Sequence, residues 1–188
     1  MEHGLLMKAG GASALLAIPS VLLAGIFIAL FFQGKGDRYG PLNDIFSALT
    51  LLLLILPALA LDRTTSGQAG SWFGILTGLA VLGMVFAALC TILLVLGRIN
   101  LNTSFITGGV GITPVLAWIA AQAYTGMRFQ LPSPAIGWLA LALLMLVGLE
   151  VLAYVLGRKV ELWIVSVSFG GALVAYFAAV GSLLLRRS

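Results

Sequence analysis

A single histidine, His3, and a single cysteine, Cys90, are all that this chain offers to transition-metal, haem or thiol chemistry. His3 stands beside the first residue, so zinc catalysis and haem ligation in an apolar interior lack their usual ligands. One cysteine makes no disulfide. Set inside the apolar run from Phe86 to Leu94, Cys90 reads as a small buried apolar residue rather than a reactive thiol. No lysine falls within an apolar block, which removes a retinal Schiff base, and no nucleophile has a base beside it, because His3 is remote. Charge is scarce too: charged residues are 9% of the chain and apolar ones 61%, with a mean hydropathy of +1.15. A soluble domain holds about 25% and about 45–50% respectively, so this chain has too little polar surface to cover itself in water.

The net charge of +4 does not point to nucleic acid. Lys8, Lys35, Arg38, Arg63, Arg98, Arg128, Arg158, Lys159, Arg186 and Arg187 lie in ones and twos between or beyond the apolar blocks, not in a patch that tracks phosphates. Headgroup contact and topology account for them. Gly108-Gly109-Val110-Gly111 follows no strand and opens an apolar segment, so it is not a dinucleotide loop. Asn102-Thr103-Ser104 is formally a glycosylation sequon, of consequence only in a eukaryotic secretory setting.

What is present is six long apolar blocks, approximately 10–32, 42–61, 72–96, 106–124, 135–157 and 162–185. A helix needs about 20 residues to cross about 30 Å of hydrocarbon, and each block meets or nearly meets that length. The blocks are continuous rather than alternating, which selects helices over a barrel. The expected fold is all-α, a single polytopic transmembrane bundle of about six spans over residues 1–188. Residues 34–41, 62–68 and Pro132-Ser133-Pro134 read as polar, turn-rich breaks, and Arg158-Lys159 as the tight turn of a hairpin between blocks five and six. The first block is too long for a signal-peptide core and is read as a retained span. The fourth, crowded by Gly108, Gly109, Gly111, Pro114 and Gln122, has a re-entrant, half-crossing alternative. Basic residues tie at five on each side, but Arg186-Arg187 after Leu183-Leu184-Leu185 resembles a cytoplasmic stop, so both termini are expected in the cytoplasm.

Blocks three and six echo each other. Phe86-Ala87-Ala88-Leu89-Cys90-Thr91-Ile92-Leu93-Leu94 is matched 91 positions later by Phe177-Ala178-Ala179-Val180-Gly181-Ser182-Leu183-Leu184-Leu185. At that offset Trp72 meets Trp163, Thr77 meets Ser168, Leu82 meets Leu173 and Pro41 meets Pro132. Two three-span repeats would be inverted, the plan of many secondary transporters. Chance is the competing explanation, since spans share a small alphabet.

Glu150 is the most informative single position, seven residues short of Gly157 and so about 10 Å inside its block. A carboxylate at that depth is expensive unless paired or protonated, and faces a bundle interior or a watery cavity. Tyr154 and Arg158 follow at i+4 and i+8 on one stripe, as partners of a protonatable or cation-binding site or as a locally satisfied structural pair. Asp44 opens block two, either as a dipole-opposing helix residue or, with Ser47 and Thr50, as the mouth of a polar pathway. Ser166 and Ser168, with Thr77 and Thr91, are expected to bond local carbonyls or to join neighbouring helices. Gly74-x-x-x-Gly78, Gly83-x-x-x-Ala87 and Gly171, Ala175, Ala179 are candidate packing seams, and Pro19 and Pro57 candidate kinks or helix ends.

Leu131-Pro132-Ser133-Pro134-Ala135-Ile136-Gly137-Trp138-Leu139 is similar to a Leu-Pro-x-x-x-Gly-Trp-Leu phrase before the fifth span in uncharacterised bacterial six-span membrane protein families. Here one more residue separates Pro132 from Gly137, and the match is confined to this stretch. The resemblance implies a prokaryotic six-span protein, in a bacterial inner or an archaeal membrane, and assigns no functional residue. Two functions are expected from the residues: a small-solute or proton-coupled transporter centred on Glu150, or a non-catalytic subunit, scaffold or sensor. Expected partners are membrane lipids and either a partner membrane protein or a second copy of the chain. No cofactor, metal or enzymatic reaction is expected, a lipid-processing site built from carboxylates being the exception.

Overall fold

Deprived of water, each peptide group in a bilayer must find its partner within its own segment. The computed structural model describes residues 2–157 and 159–188, with side chains at all of them except 2, 3, 105 and 159–163. Among these residues the chain forms six helices: α1 (Glu2–Phe32), α2 (Tyr39–Ala69), α3 (Ser71–Val95), α4 (Leu101–Phe129), α5 (Pro134–Val155) and α6 (Lys159–Arg186). All six contain a stretch long and apolar enough to cross a membrane. The chain is a multi-pass, all-α membrane protein.

The helices overrun the apolar blocks, α1 starting at Glu2 and α2 and α4 extending at both ends, and the extensions of α2 have local reasons. Tyr39-Gly40-Pro41 and the run Asp62 to Gln68 belong to α2 rather than to loops. Pro41 falls in the first turn, where no helical N–H is required. Thr64 and Ser66 turn their hydroxyls back onto the carbonyls of Leu61 and Asp62, both at 2.8 Å, so polar residues here continue the helix. Asp44 is therefore more than a turn inside α2, not at its start. α4 is an unbroken helix of 29 residues, which corrects the half-crossing alternative. The Asn100 side chain caps it, accepting from the Thr103 N–H at 2.8 Å, and Gln130 ends it in the left-handed region at φ 58°. Pro19 and Pro57 lie inside their helices and terminate neither.

Each helix packs on the next, and α6 returns to pack on α1, so the six form a ring with only slight contact across it. Six crossings bring both chain ends to one face, here the terminal face; the α1–α2, α3–α4 and α5–α6 connections share the opposite, far face. Close approaches between backbones fasten the ring. Gly10 of α1 lies against Ala60 and the Leu56 carbonyl, Gly11 against the Gly181 carbonyl, Gly83 against Gly111, and Gly126 against Gly137. The Gly83–Ala87 seam read from the sequence is real, and Gly111 is its partner. Gly78 and Gly171 meet nothing within 4 Å and are not seams.

Pro57 lacks the N–H that would bond the Leu53 carbonyl one turn back. The Ser13 hydroxyl of α1 donates to that carbonyl at 2.6 Å. Higher on the same pair, Ser20 donates to the Phe46 carbonyl at 2.8 Å. Ser13→Ala is expected to cost about 1 kcal/mol by leaving the Leu53 carbonyl unpaired, read as a lower unfolding midpoint in detergent.

The contiguous core occupies only the half of the bundle from mid-height to the terminal face. It comprises Met7 to Ala17 of α1, Leu54 to Leu61 of α2, Phe73 to Met84 of α3, Val115 to Ala123 of α4, Ile136 to Leu143 of α5 and Tyr176 to Leu184 of α6. Trp118, Tyr176, Phe73 and Phe177 are its largest fully buried side chains. Towards the far face the described buried apolar residues are small ones at helix contacts, among them Ala48, Ala88, Cys90 and Ala153. Trp72, Tyr124, Phe129 and Trp138 stand outward near the terminal face, as an aromatic belt at a membrane boundary does.

The residues paired at the 91-residue offset do not share surroundings. Phe86 is 45% exposed on the outer surface, whereas Phe177 is 1% exposed in the core. Thr77 is buried and Ser168 exposed, though both donate to the carbonyl four residues back. The Trp163 side chain lies outside the described residues.

Candidate functional site

On a helix, positions seven apart stay on one face, drifting about 20° per heptad. Ile136, Leu143 and Glu150 form such a stripe on α5; the first two are 1% exposed, so the stripe faces inward. Val180, Leu173 and Ser166 form its counterpart on α6, with Val180 wholly buried. The two stripes bring Ser166 to Glu150, and its hydroxyl donates to Oε1 at 2.7 Å. The half-buried Glu150 is thus held by α6, not by its own helix.

The expected partners fare differently. Tyr154 is 75% exposed, and the hydrogen bond that Glu150 accepts comes from Ser166 rather than from Tyr154. Arg158 lies outside the described residues. Ser168 is exposed and donates to the Ile164 carbonyl at 2.9 Å, which makes it a local helix bond. On α2, Asp44 shares a stripe with Ala58 and Thr65, and Ser47 one with Leu54 and Leu61, so both lie on inward stripes in the far half. Both are half-buried; Asp44 accepts from the Asn43 amide at 3.1 Å, and Thr50 donates back to the Phe46 carbonyl at 2.9 Å. Thr77 and Thr91 likewise donate to the carbonyls of Phe73 and Ala87, both at 3.0 Å.

A second polar group was not foreseen. In the terminal half, the Trp118 indole N–H of α4 donates to the Thr77 hydroxyl of α3 at 3.1 Å. One turn along α4, the Gln122 Oε1 accepts from the Tyr176 hydroxyl of α6 at 2.7 Å. The Asp62 carboxylate of α2 lies beside Thr77. These side chains belt the core from α2 through α3 and α4 to α6. Each was individually visible, but Asp62 and Thr65 were read as loop, and no local spacing joins residues from four helices.

The Gln122–Tyr176 pair is fully enclosed, and breaking it from one side strands the other. Gln122→Leu alone and Tyr176→Phe alone are each expected to destabilise by about 1–3 kcal/mol. The double variant is expected to lose less than the sum, a coupling that an unfolding series in detergent measures directly.

Among the described residues no three His, Cys, Asp or Glu side chains gather as a metal centre would need. An apolar groove of about 480 Å³ lies on the outside of the ring between α3 and α4, walled by Leu79, Leu82, Phe86, Leu89 and Val110 over the Gly83–Gly111 contact. Comparison with protein-family models, with curated proteins and with solved structures finds no match to this chain. Fold and site together define a class, a six-helix integral membrane protein with carboxylates on inward stripes.

Proposed function

We propose that the protein is a small-solute or proton-coupled carrier with Glu150 as its ionisable centre and Ser166 as the group that holds it. The observation carrying this reading is the one-sided core. Large aromatic side chains close the terminal half, while the far half keeps half-buried polar groups, Asp44 and Ser47 on α2 and the Glu150–Ser166 pair on α5 and α6, on inward stripes. A bundle sealed at one end and polar towards the other is what a carrier offers its substrate from one side of the membrane. Intramembrane carboxylates mark ion and proton paths for the reason that makes them expensive: they persist where water or a bound ion reaches them.

The test is proton flux into vesicles reconstituted with the protein, under an imposed pH gradient. Wild type is expected to exceed empty vesicles and Glu150→Gln to match them; equal flux from the two proteins sinks the reading.

The apolar groove between α3 and α4 favours a second reading, a non-catalytic subunit or scaffold that docks a partner helix or a lipid chain there. Mass and composition of the tagged protein, gently extracted from its membrane, separate the two. A stoichiometric partner protein supports the subunit; the chain alone or as a homo-oligomer supports the carrier. The setting we propose is a bacterial inner or archaeal membrane with both chain ends cytoplasmic, consistent with the Arg186-Arg187 pair that follows the last apolar run.

A further inference from the structure

The groove between α3 and α4 is walled by apolar side chains alone, and its floor is where the Gly83 and Gly111 backbones touch. From Leu79 to Leu89 it is about 15 Å long, at about 1.5 Å per residue. Its volume of about 480 Å³ over that length gives a mean bore of about 32 Å². A helix with its side chains is about 10–12 Å across, a section of about 80–110 Å², and does not enter. An extended alkyl chain is one carbon wide, about 4 Å by van der Waals contact distance, and does. The seam that holds this trough leads to a polar-tipped ledge at the terminal face. Trp72, Leu79 and Phe86 follow at intervals of seven on α3, and Val110, Ala117 and Tyr124 on α4, so each trio keeps to one side of its helix. The trios converge where the Trp72 and Tyr124 rings meet at 6.3 Å, with Phe129 5.7 Å beyond Tyr124. Between trough and ledge Gly78 and Ala117 are small and exposed, and nothing lies within 4 Å of a β-carbon added at Gly78, so the seam stays open.

We infer that the α3–α4 seam binds one anionic phospholipid of the leaflet at the terminal face, its tail in the trough and its phosphate at Arg128. Arg128 is exposed and follows Tyr124 by one turn on the same face of α4, so its guanidinium stands at the ledge beside two neutral donors, the Trp72 indole and the Tyr124 hydroxyl. The reach agrees. A tail spans half of about 30 Å of hydrocarbon, about ten residues of helix, which carries it from the level of Trp72 to Leu82 and the Gly83 floor. Charge at that face selects the headgroup. Lys8, Arg63, Arg128, Arg186 and Arg187 are exposed there, against one acidic group among the described side chains, the half-buried Asp62 on α2. A zwitterionic headgroup brings its own cation to the same basic rim and is held less well. The inference gives the groove of the second reading a lipid occupant, and nothing in it depends on Glu150.

The test is thermal unfolding of the full-length protein in detergent, titrated with dioleoylphosphatidylglycerol or with dioleoylphosphatidylcholine, which share their tails. Wild type is expected to gain melting temperature saturably with phosphatidylglycerol, at a half-saturating concentration about tenfold below that of phosphatidylcholine. Arg128→Gln raises the phosphatidylglycerol value about tenfold and leaves that of phosphatidylcholine in place, the effect of one charge-assisted hydrogen bond. Ala117→Trp, which fills the seam between ledge and trough from an exposed position, abolishes the gain with both lipids. The site is refuted if the two lipids serve equally, if Arg128→Gln keeps the wild-type preference, or if Ala117→Trp keeps the gain. Should Ala117→Trp fail to fold, the Arg128→Gln titration decides alone. Cross-linking of Leu82→Cys, in a Cys90→Ala background in the native membrane, to a second copy or to another protein also refutes it and leaves the subunit reading standing. Glu150→Gln is expected to keep the lipid gain. If its flux equals wild type while the gain persists, the carrier reading falls and the lipid site stands; the reverse pattern removes the lipid site alone.

Discussion

Gly137→Val is expected to eliminate correctly folded protein from the membrane, and Gly137→Ala to leave it in reduced yield with a lowered melting temperature. α4 and α5 cross with their backbones in contact at Gly126 and Gly137. A β-carbon at Gly137 would stand 2.8 Å from the Gly126 Cα, 2.9 Å from its carbonyl carbon and 3.0 Å from the Met127 nitrogen. Those are main-chain atoms, and no rotamer change moves them aside. Overpacking a core costs about 1–3 kcal/mol where side chains can shift; here whole helices must separate, and in lipid close packing is the main force between them. Gly148→Ala is the matched control on the same helix, since nothing lies within 4 Å of the added methyl. Size-exclusion yield and melting temperature read the comparison. Wild-type behaviour of Gly137→Val would mean that the α4–α5 crossing is not the one described.

The second large effect is on transport. Glu150→Gln is expected to reduce proton flux to that of empty vesicles while leaving the folded yield intact. The amide keeps the length of the side chain, and its Oε1 still accepts from Ser166, so packing is preserved and only the ionisable proton is lost. Ser166→Ala removes the bond but not the carboxyl group, and is expected to lower flux about tenfold, the equivalent of one charge-assisted hydrogen bond. Tyr154→Phe is expected to change nothing, because Ser166 and not the exposed Tyr154 hydroxyl bonds the Glu150 carboxylate. Full loss in Ser166→Ala together with loss of folded protein would make the pair structural.

The resemblance around Gly137 gains a local explanation. Pro134 starts α5, Gly137 meets α4 backbone to backbone, and Trp138 turns outward at 62% exposed. The phrase Leu131 to Leu139 therefore describes how a fifth span begins and docks, and carries no chemistry.

Six apolar blocks and the scarcity of charge determined the membrane class and the all-α fold, because hydrocarbon leaves a backbone no other way to satisfy itself. The inward placement of Glu150 was legible for the same reason: a lone carboxylate at that depth has nowhere else to go. What holds it was not. Ser166 lies 16 residues away on another helix, and its approach depends on how α5 and α6 are rotated, which no local spacing encodes. The same limit hid the belt of Asp62, Thr77, Trp118, Gln122 and Tyr176. Hydropathy ended α2 at the first charge, although hydroxyls that bond back to the helix carry it to Ala69. Composition and length are properties of single segments, and they decided what kind of molecule this is. Which faces turn inward, which glycines touch, and which half of the ring is filled are relations between segments, and only the tertiary packing decided them.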